Sequence, residues 1–247
     1  MTACGTKSEP SSLIQIGFLG KNSQGYRVYD QPISDLFRMS SSSTFGKAFF
    51  APRTLRTLEL FSGTQSFSKQ VTGAAIKPTH VADILTWDFT MYPPGHFDTI
   101  WCSPPCTEYS KAKTRGSRDL ELADSLVAKC FEIIDYFKPR VWIVENVGTG
   151  LLVKRMEAIR PNLSSTFVDY CAYGKSYRKR TILWSNHPLR LRLCEGAGKC
   201  PGMDGHEHKG SCGNGTARYN SEGIHSVWEK DSIPELLIQT ILDQIKA

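Results

Sequence analysis

A cysteine behind two prolines is the first place in this sequence where chemistry is legible. Ser103-Pro104-Pro105-Cys106 leads into a basic run, residues 111–118, that carries Lys111, Lys113, Arg115 and Arg118 and no acid. Nearby cations and helix N-termini lower a thiol's pKa, and the thiolate is the nucleophilic form, so Cys106 has a reactive setting. Glu145 stands in VWIVENV (141–147), where a carboxylate at the mouth of an apolar run is costly unless it has a partner. Phe61-Ser62-Gly63-Thr64 forms a turn after an apolar run, the kind that brings a nucleotide-like cofactor onto a helix N-terminus. Arg178 and Arg180 lie in a second acid-free stretch, 175–192, with Lys175, Lys179, Arg190 and Arg192. Taken alone, either basic run reads as a solvated loop.

These residues need elements to position them. Leu55–Phe61, Val81–Leu85, Phe97–Cys102, the apolar run Val141–Val144, Thr166–Ala172 and Arg180–Ser185 read as strands. A helix after Asp119 carries Leu122, Leu126, Cys130, Ile133, Ile134 and Phe137 at spacings of three and four, and Pro139 stops it. Further helices are expected near Leu151–Ile159 and Pro234–Ile245. Such alternation predicts an α/β fold with an open, mostly parallel sheet and helices on both faces. In such a sheet ligands sit beyond the carboxyl ends of the strands, so the turn at Gly63, the loop at Cys106 and Glu145 should converge on one edge.

The chain's 247 residues, 40% hydrophobic, suffice for one substantial core. No apolar stretch is long enough for a membrane span, and the first residues lack a signal-peptide layout. An intracellular protein, cytoplasmic or nuclear, is expected, with no membrane partner and as a monomer. The net charge of +6 permits an anionic partner without requiring one. Residues 1–53 are Ser-rich and weakly periodic and read as a loosely structured extension, with a short helix near Ser34–Met39. Residues 54–186 form the core, 187–231 an irregular Cys/His/Gly-rich segment, and 232–247 a closing helix. The irregular segment holds Cys194, Cys200, His206, His208 and Cys212 as candidate zinc ligands. Their spacing is looser than the tight pairs of closed zinc sites, which favours a flexible Cys/His loop over zinc. Cys102, Cys130 and Cys171 read as buried structural thiols.

Four of these motifs, in this order, resemble the cytosine-C5 DNA methyltransferases, with the compact phage- or virus-type methylases nearest. ELFSGT looks like the family's cofactor turn, PPC its nucleophile loop, ENV its Glu-Asn-Val triplet and YRKR its Arg-x-Arg segment. The resemblance implies a Rossmann-like methyltransferase fold that takes S-adenosylmethionine through Phe61, Ser62, Gly63, Thr64, Asp83, Ile84 and Pro104. It implies Cys106 as nucleophile on C6 of a cytosine flipped from double-stranded DNA, with Glu145 on the N3/N4 edge and Arg178 or Arg180 at O2. Lys111, Lys113, Arg115, Lys175 and Lys179 would then border the nucleic acid. Gln65 and Ser66 stand where the family has further glycines, and the ribose-binding strand after the turn reads as shortened or missing. An RNA-directed enzyme and an inactive scaffold that binds nucleic acid or a partner are the competing readings.

Overall fold

The computed structural model describes residues 18–21, 27–29, 56–70, 73–76, 84–210 and 231–246. The chain divides into two compact units, Met1–Ala51 and Pro52–Ala247. Within the first, β1 (Phe18–Lys21) and β2 (Arg27–Tyr29) pair antiparallel. The helix expected near Ser34–Met39 lies outside the described residues.

The second unit is built on a six-stranded sheet. Its strands are β3 (Thr57–Leu60), β4 (Gly73–Ile76), β5 (Thr99–Cys102), β6 (Val141–Val147), β7 (Ser165–Asp169) and β8 (Arg180–Ser185). They lie in the order β4-β3-β5-β6-β8-β7. Pairing is parallel from β4 to β6, while β8 runs antiparallel to both β6 and β7. The residues of β3 and β5 are buried throughout, as strands covered on both faces must be.

Helices cover both faces. In α1 (Leu120–Phe137) the Asp119 side chain caps the first turn by accepting the Leu122 N–H at 2.9 Å. Its buried stripe runs through Ala123, Leu126, Val127, Cys130, Phe131, Ile133, Ile134 and Phe137. Leu122, expected on that stripe, is 39% exposed, and Ala123 takes its place. The helix ends where Lys138 turns left-handed (φ 49°) and donates its N–H to Ile134, just before Pro139. Phe131 packs edge-on against Trp142 of β6. The next residue, Ile143, faces the other way and joins Leu237, Ile238, Ile241, Leu242 and Ile245 of the closing helix, here α3 (Glu235–Lys246). Each such fully buried aliphatic side chain contributes about 1.5–3 kcal/mol.

The structure corrects several expected elements. The strand after the cofactor-like turn, expected as shortened or missing, is present as the four-residue β4. Ile84 and Leu85 form a 3-10 turn instead of ending a strand, and residues 81–83 lie outside the described residues. β7 stops at Asp169, and Tyr170–Tyr173 make a 3-10 turn instead of extending it. The irregular segment holds a short hairpin, β9 (Met203–Asp204) with β10 (Glu207–His208). A second helix, α2 (Leu152–Ile159), follows β6 as expected. Among the described residues no helix is long and apolar enough to cross a membrane.

Register places the site. Leu60 pairs with Cys102, and Cys102 with Val144, so the residues after β3, β5 and the apolar part of β6 emerge on one edge. Because β8 is reversed, its beginning lies at that same edge, with Arg180 opposite Asp169 and Thr181 opposite Val147.

Candidate active site

The loop that carries Cys106 is held from several sides. Behind it, the Ser103 N–H donates to the Leu60 carbonyl at 3.2 Å. From β6, the Asn146 Nδ2 donates to the Pro104 carbonyl at 2.9 Å, and the Asn146 Oδ1 accepts the Val147 N–H. The Tyr109 and Ser110 N–H groups donate to the Cys106 carbonyl at 3.1 and 2.8 Å, which closes a helical turn after the thiol. Tyr109 is fully buried and donates its hydroxyl to Asp124 of α1, whose carboxylate also takes Arg155 of α2. Downstream, the Arg118 guanidinium donates to the carbonyls of Glu108, Ser110 and Lys113. Three backbone acceptors on one guanidinium make Arg118 a clamp on the loop.

The Cys106 thiol is partly buried, and burial pushes its pKa up. Lys179 opposes this, while Glu145 and Asp231 add to it. The net effect is a thiol pKa above its ordinary value. The adjacent basic run does not supply the expected cation, because Lys113 is paired with Glu108 at 2.6 Å and Arg118 is spent on carbonyls. The cation that acts on Cys106 is Lys179, whose Nζ stands 5.3 Å from the Tyr170 ring.

Glu145 is buried and accepts the Tyr170 hydroxyl at 3.2 Å. Burial and the facing carboxylate push the Tyr170 pKa well up, so the phenol stays protonated and keeps donating. Tyr170 is thus the partner that a carboxylate at the end of an apolar strand requires. Sequence reading did not single it out, since a tyrosine at the end of β7 looks like core.

Asp169 was likewise overlooked. It is fully buried and receives Arg180 through Nε at 2.6 Å and Nη2 at 2.7 Å, with the Arg178 Nε at 3.3 Å. Burial alone would raise its pKa, but hydrogen bonds from Arg180, the Cys194 N–H and Arg178 outweigh that and hold it below the ordinary carboxylate value. Arg180 therefore has two nitrogens committed to a carboxylate inside the fold. Arg178, the more exposed of the two, points one nitrogen at the same oxygen.

At the cofactor-like turn, Phe61 (φ 58°), Gly63 (φ 37°) and Gln65 (φ 56°) all have left-handed backbone. That conformation favours glycine, and Gln65 adopts it where the resemblance leads one to expect a further glycine. The Ser62 hydroxyl is buried and finds no partner among the described residues. A buried hydroxyl left over at a turn between strand and helix leaves a polar group available to a bound ligand. Thr64 and Ser66 share a hydrogen bond of 2.5 Å, and Ser66 accepts the Ile233 N–H at 3.1 Å, which ties the turn to the approach to α3. Ile84 is fully buried, and Asp83 lies outside the described residues.

Of the remaining basic candidates, Lys111 and Arg115 are exposed. Lys175 donates to Ser232 at 2.7 Å, and Arg192 lies over the Tyr173 ring at 4.7 Å. Of the five expected metal ligands, Cys194, Cys200 and His208 come together, joined by Cys171, with all four donor atoms within 4.8 Å of one another. His206 is exposed on the hairpin turn and stands apart from this group, and Cys212 lies outside the described residues.

Cys106 and the buried Glu145 thus emerge at the carboxyl edge of an α/β sheet, where ligands bind in folds of this kind. The profile of the C-5 cytosine-specific DNA methylase family matches residues 56–177. A frog virus 3 protein named "Probable DNA (cytosine-5)-methyltransferase" is 36% identical over 174 residues, which cover 61% of this chain and 79% of the viral one. The type II methyltransferase M.AgeI of Thalassovita gelatinovora is 29% identical over 100 residues, 36% of this chain and 23% of its own. The chain belongs to the C-5 cytosine-specific DNA methylase family.

Proposed function

We propose that this protein transfers a methyl group from S-adenosylmethionine to C5 of cytosine in DNA, with Cys106 as the nucleophile. The observation that carries the reading is that the Cys106 loop is fixed by Asn146 to β6, the strand that bears Glu145, with Glu145 and Lys179 close enough to act on the thiol's charge. Cytosine C5 is too weakly nucleophilic to take a methyl group unaided. The Cys106 thiol releases its proton to solvent and the thiolate adds to C6, forming a C–S bond and pushing electrons to C5, so that the ring becomes an enamine. Glu145, oriented by the Tyr170 hydroxyl that it accepts, holds the N3/N4 edge and favours a protonated N3, which eases the addition. When bound, S-adenosylmethionine supplies an electrophilic sulfonium methyl to C5. Loss of the C5 proton then restores the ring double bond and expels the Cys106 thiolate.

The partly buried thiol cannot reach the ring face of a stacked base, so the cytosine is flipped out of the duplex. Lys111 and Arg115, exposed beyond the nucleophile loop, serve as phosphate contacts. Lys113 and Lys175 act mainly within the protein, through Glu108 and Ser232. Phe61, Ser62, Gly63, Thr64, Ile84 and Pro104 would hold the cofactor, and the unpartnered Ser62 hydroxyl fits a polar ligand there.

Incubation with 5-fluorocytosine duplex DNA and cofactor tests the reading, because fluorine at C5 blocks the final elimination. A covalent adduct is expected from the native protein and none from Cys106→Ser. The absence of an adduct with the native protein would sink the assignment.

A further inference from the structure

We propose that Cys171, Cys194, Cys200 and His208 form a closed zinc site that staples the segment after β8 to the catalytic core. The four donor atoms all lie within 4.8 Å of one another. The His208 Nε2 stands 3.6 Å from the Cys194 Sγ and 3.8 Å from the Cys200 Sγ. Zinc bonds of ~2.3 Å to sulfur and ~2.0 Å to nitrogen at tetrahedral angles put the donors roughly 3.5–3.8 Å apart, so both His208–sulfur spacings suit a four-coordinate ion, and the widest pair of the group would close by at most about 1 Å on binding. Three thiolates and an imidazole are a soft to borderline set that selects zinc over magnesium or calcium. Four protein ligands leave no open position, which makes the role structural.

The backbone is shaped to bring these groups together. Gly196 (φ 83°) and Gly198 (φ 76°) turn the chain between Cys194 and Cys200, and the Cys200 N–H donates to the Gly196 carbonyl at 3.0 Å. Gly205 (φ 63°) turns the hairpin, so that His208 on β10 faces Met203 on β9 and returns toward Cys200. Gly202 lies so close to the core that a Cβ there would come within 2.3 Å of the Lys175 carbonyl and 2.9 Å of the Cys171 Cβ. The fourth ligand, Cys171, belongs to the 3-10 turn after β7. The site therefore joins the loop after β8 to the turn after β7, and metal binding adds to the apolar contact that Leu189 makes with the core.

Zinc content of the full-length protein tests the site without any activity assay, so it stands or falls apart from the methyltransferase reading. Protein made in zinc-supplemented medium and purified reducing and chelator-free is expected to carry about one zinc per chain by mass spectrometry. His208→Ala and Cys200→Ser should lower that at least fivefold, whereas His206→Ala should leave it unchanged. Refilling the site with Co²⁺ should give the thiolate charge-transfer and tetrahedral d–d bands. This readout on the native chain holds even if a ligand variant fails to fold. A native protein free of zinc, iron in its place, a disulfide among the three cysteines, or zinc retained by both ligand variants would each overturn the proposal.

Discussion

The side-chain amide of Asn146 donates to the carbonyl of Pro104 at 2.9 Å, so the loop that bears Cys106 hangs from the same strand that bears Glu145. Position of the thiol and position of the carboxylate are thereby one variable. Asn146→Ala leaves the Pro104 carbonyl without its donor and should lower the single-turnover methylation rate. A buried unsatisfied group costs about 1–3 kcal/mol, or roughly 5- to 150-fold if the loss falls on the transition state. An unchanged single-turnover rate would mean that the bonds of Ser103, Tyr109 and Arg118 suffice to fix the loop.

Reactivity of Cys106 should carry an electrostatic signature. Burial raises its pKa, so at neutral pH less of it is thiolate than in a free cysteine, and its alkylation rate should still be climbing at pH values where a free cysteine levels off. Lys179 pulls the other way, so Lys179→Met should move the profile to still higher pH. Iodoacetamide labelling across pH, read at the Cys106 peptide by mass spectrometry, measures both. A native profile at or below that of a model peptide would contradict the burial argument.

Gln65 occupies left-handed backbone, which costs a side-chain-bearing residue about 1–2 kcal/mol relative to glycine. Gln65→Gly relieves that strain but frees the unfolded chain, which offsets about 0.5–1 kcal/mol of the gain. Thermal stability should therefore change little, whereas S-adenosylmethionine should bind more tightly once the turn presents bare backbone. Calorimetric titration of both proteins decides it, and equal or weaker binding by the variant would show that the glutamine side chain helps to hold the cofactor.

Asp169 is the shared acceptor for Arg178, Arg180 and the Cys194 N–H. Asp169→Asn leaves the half-buried Arg180 without its counter-charge, a change that costs about 3–5 kcal/mol when a buried pair is broken. Arg178→Lys, at the exposed end of the network, should cost under about 1 kcal/mol. Urea unfolding of the two variants should separate them clearly, and similar costs would place the energy of the network elsewhere.

The sheet was largely legible because its central strands are nearly pure apolar runs, and α1 because its stripe, its Asp119 cap and Pro139 agree with one another. β4 escaped notice since Gly73-Ala74-Ala75-Ile76 has small residues and no alternation to read. Cys106 and Glu145 could be chosen from their place after apolar runs. Their partners could not, because Tyr170 reaches Glu145 from 25 residues away and Lys179 acts on Cys106 from beyond two further strands. The Cys/His cluster shows the same limit. Spacing alone grouped Cys194, Cys200, His206, His208 and Cys212, while the fold exchanges His206 for Cys171 from the end of β7. Side chains brought together by sheet register leave no local pattern in the sequence.

The segment between β8 and α3 has the look of an exchangeable cassette, since the sheet is complete before it and α3 packs on the core after it. One of its four metal donors, however, remains behind in the core at Cys171. A transplanted segment would inherit three donors of the four. Any exchange of this cassette between relatives must carry a matching residue at position 171, or leave a lone thiol facing a loop that has lost its anchor.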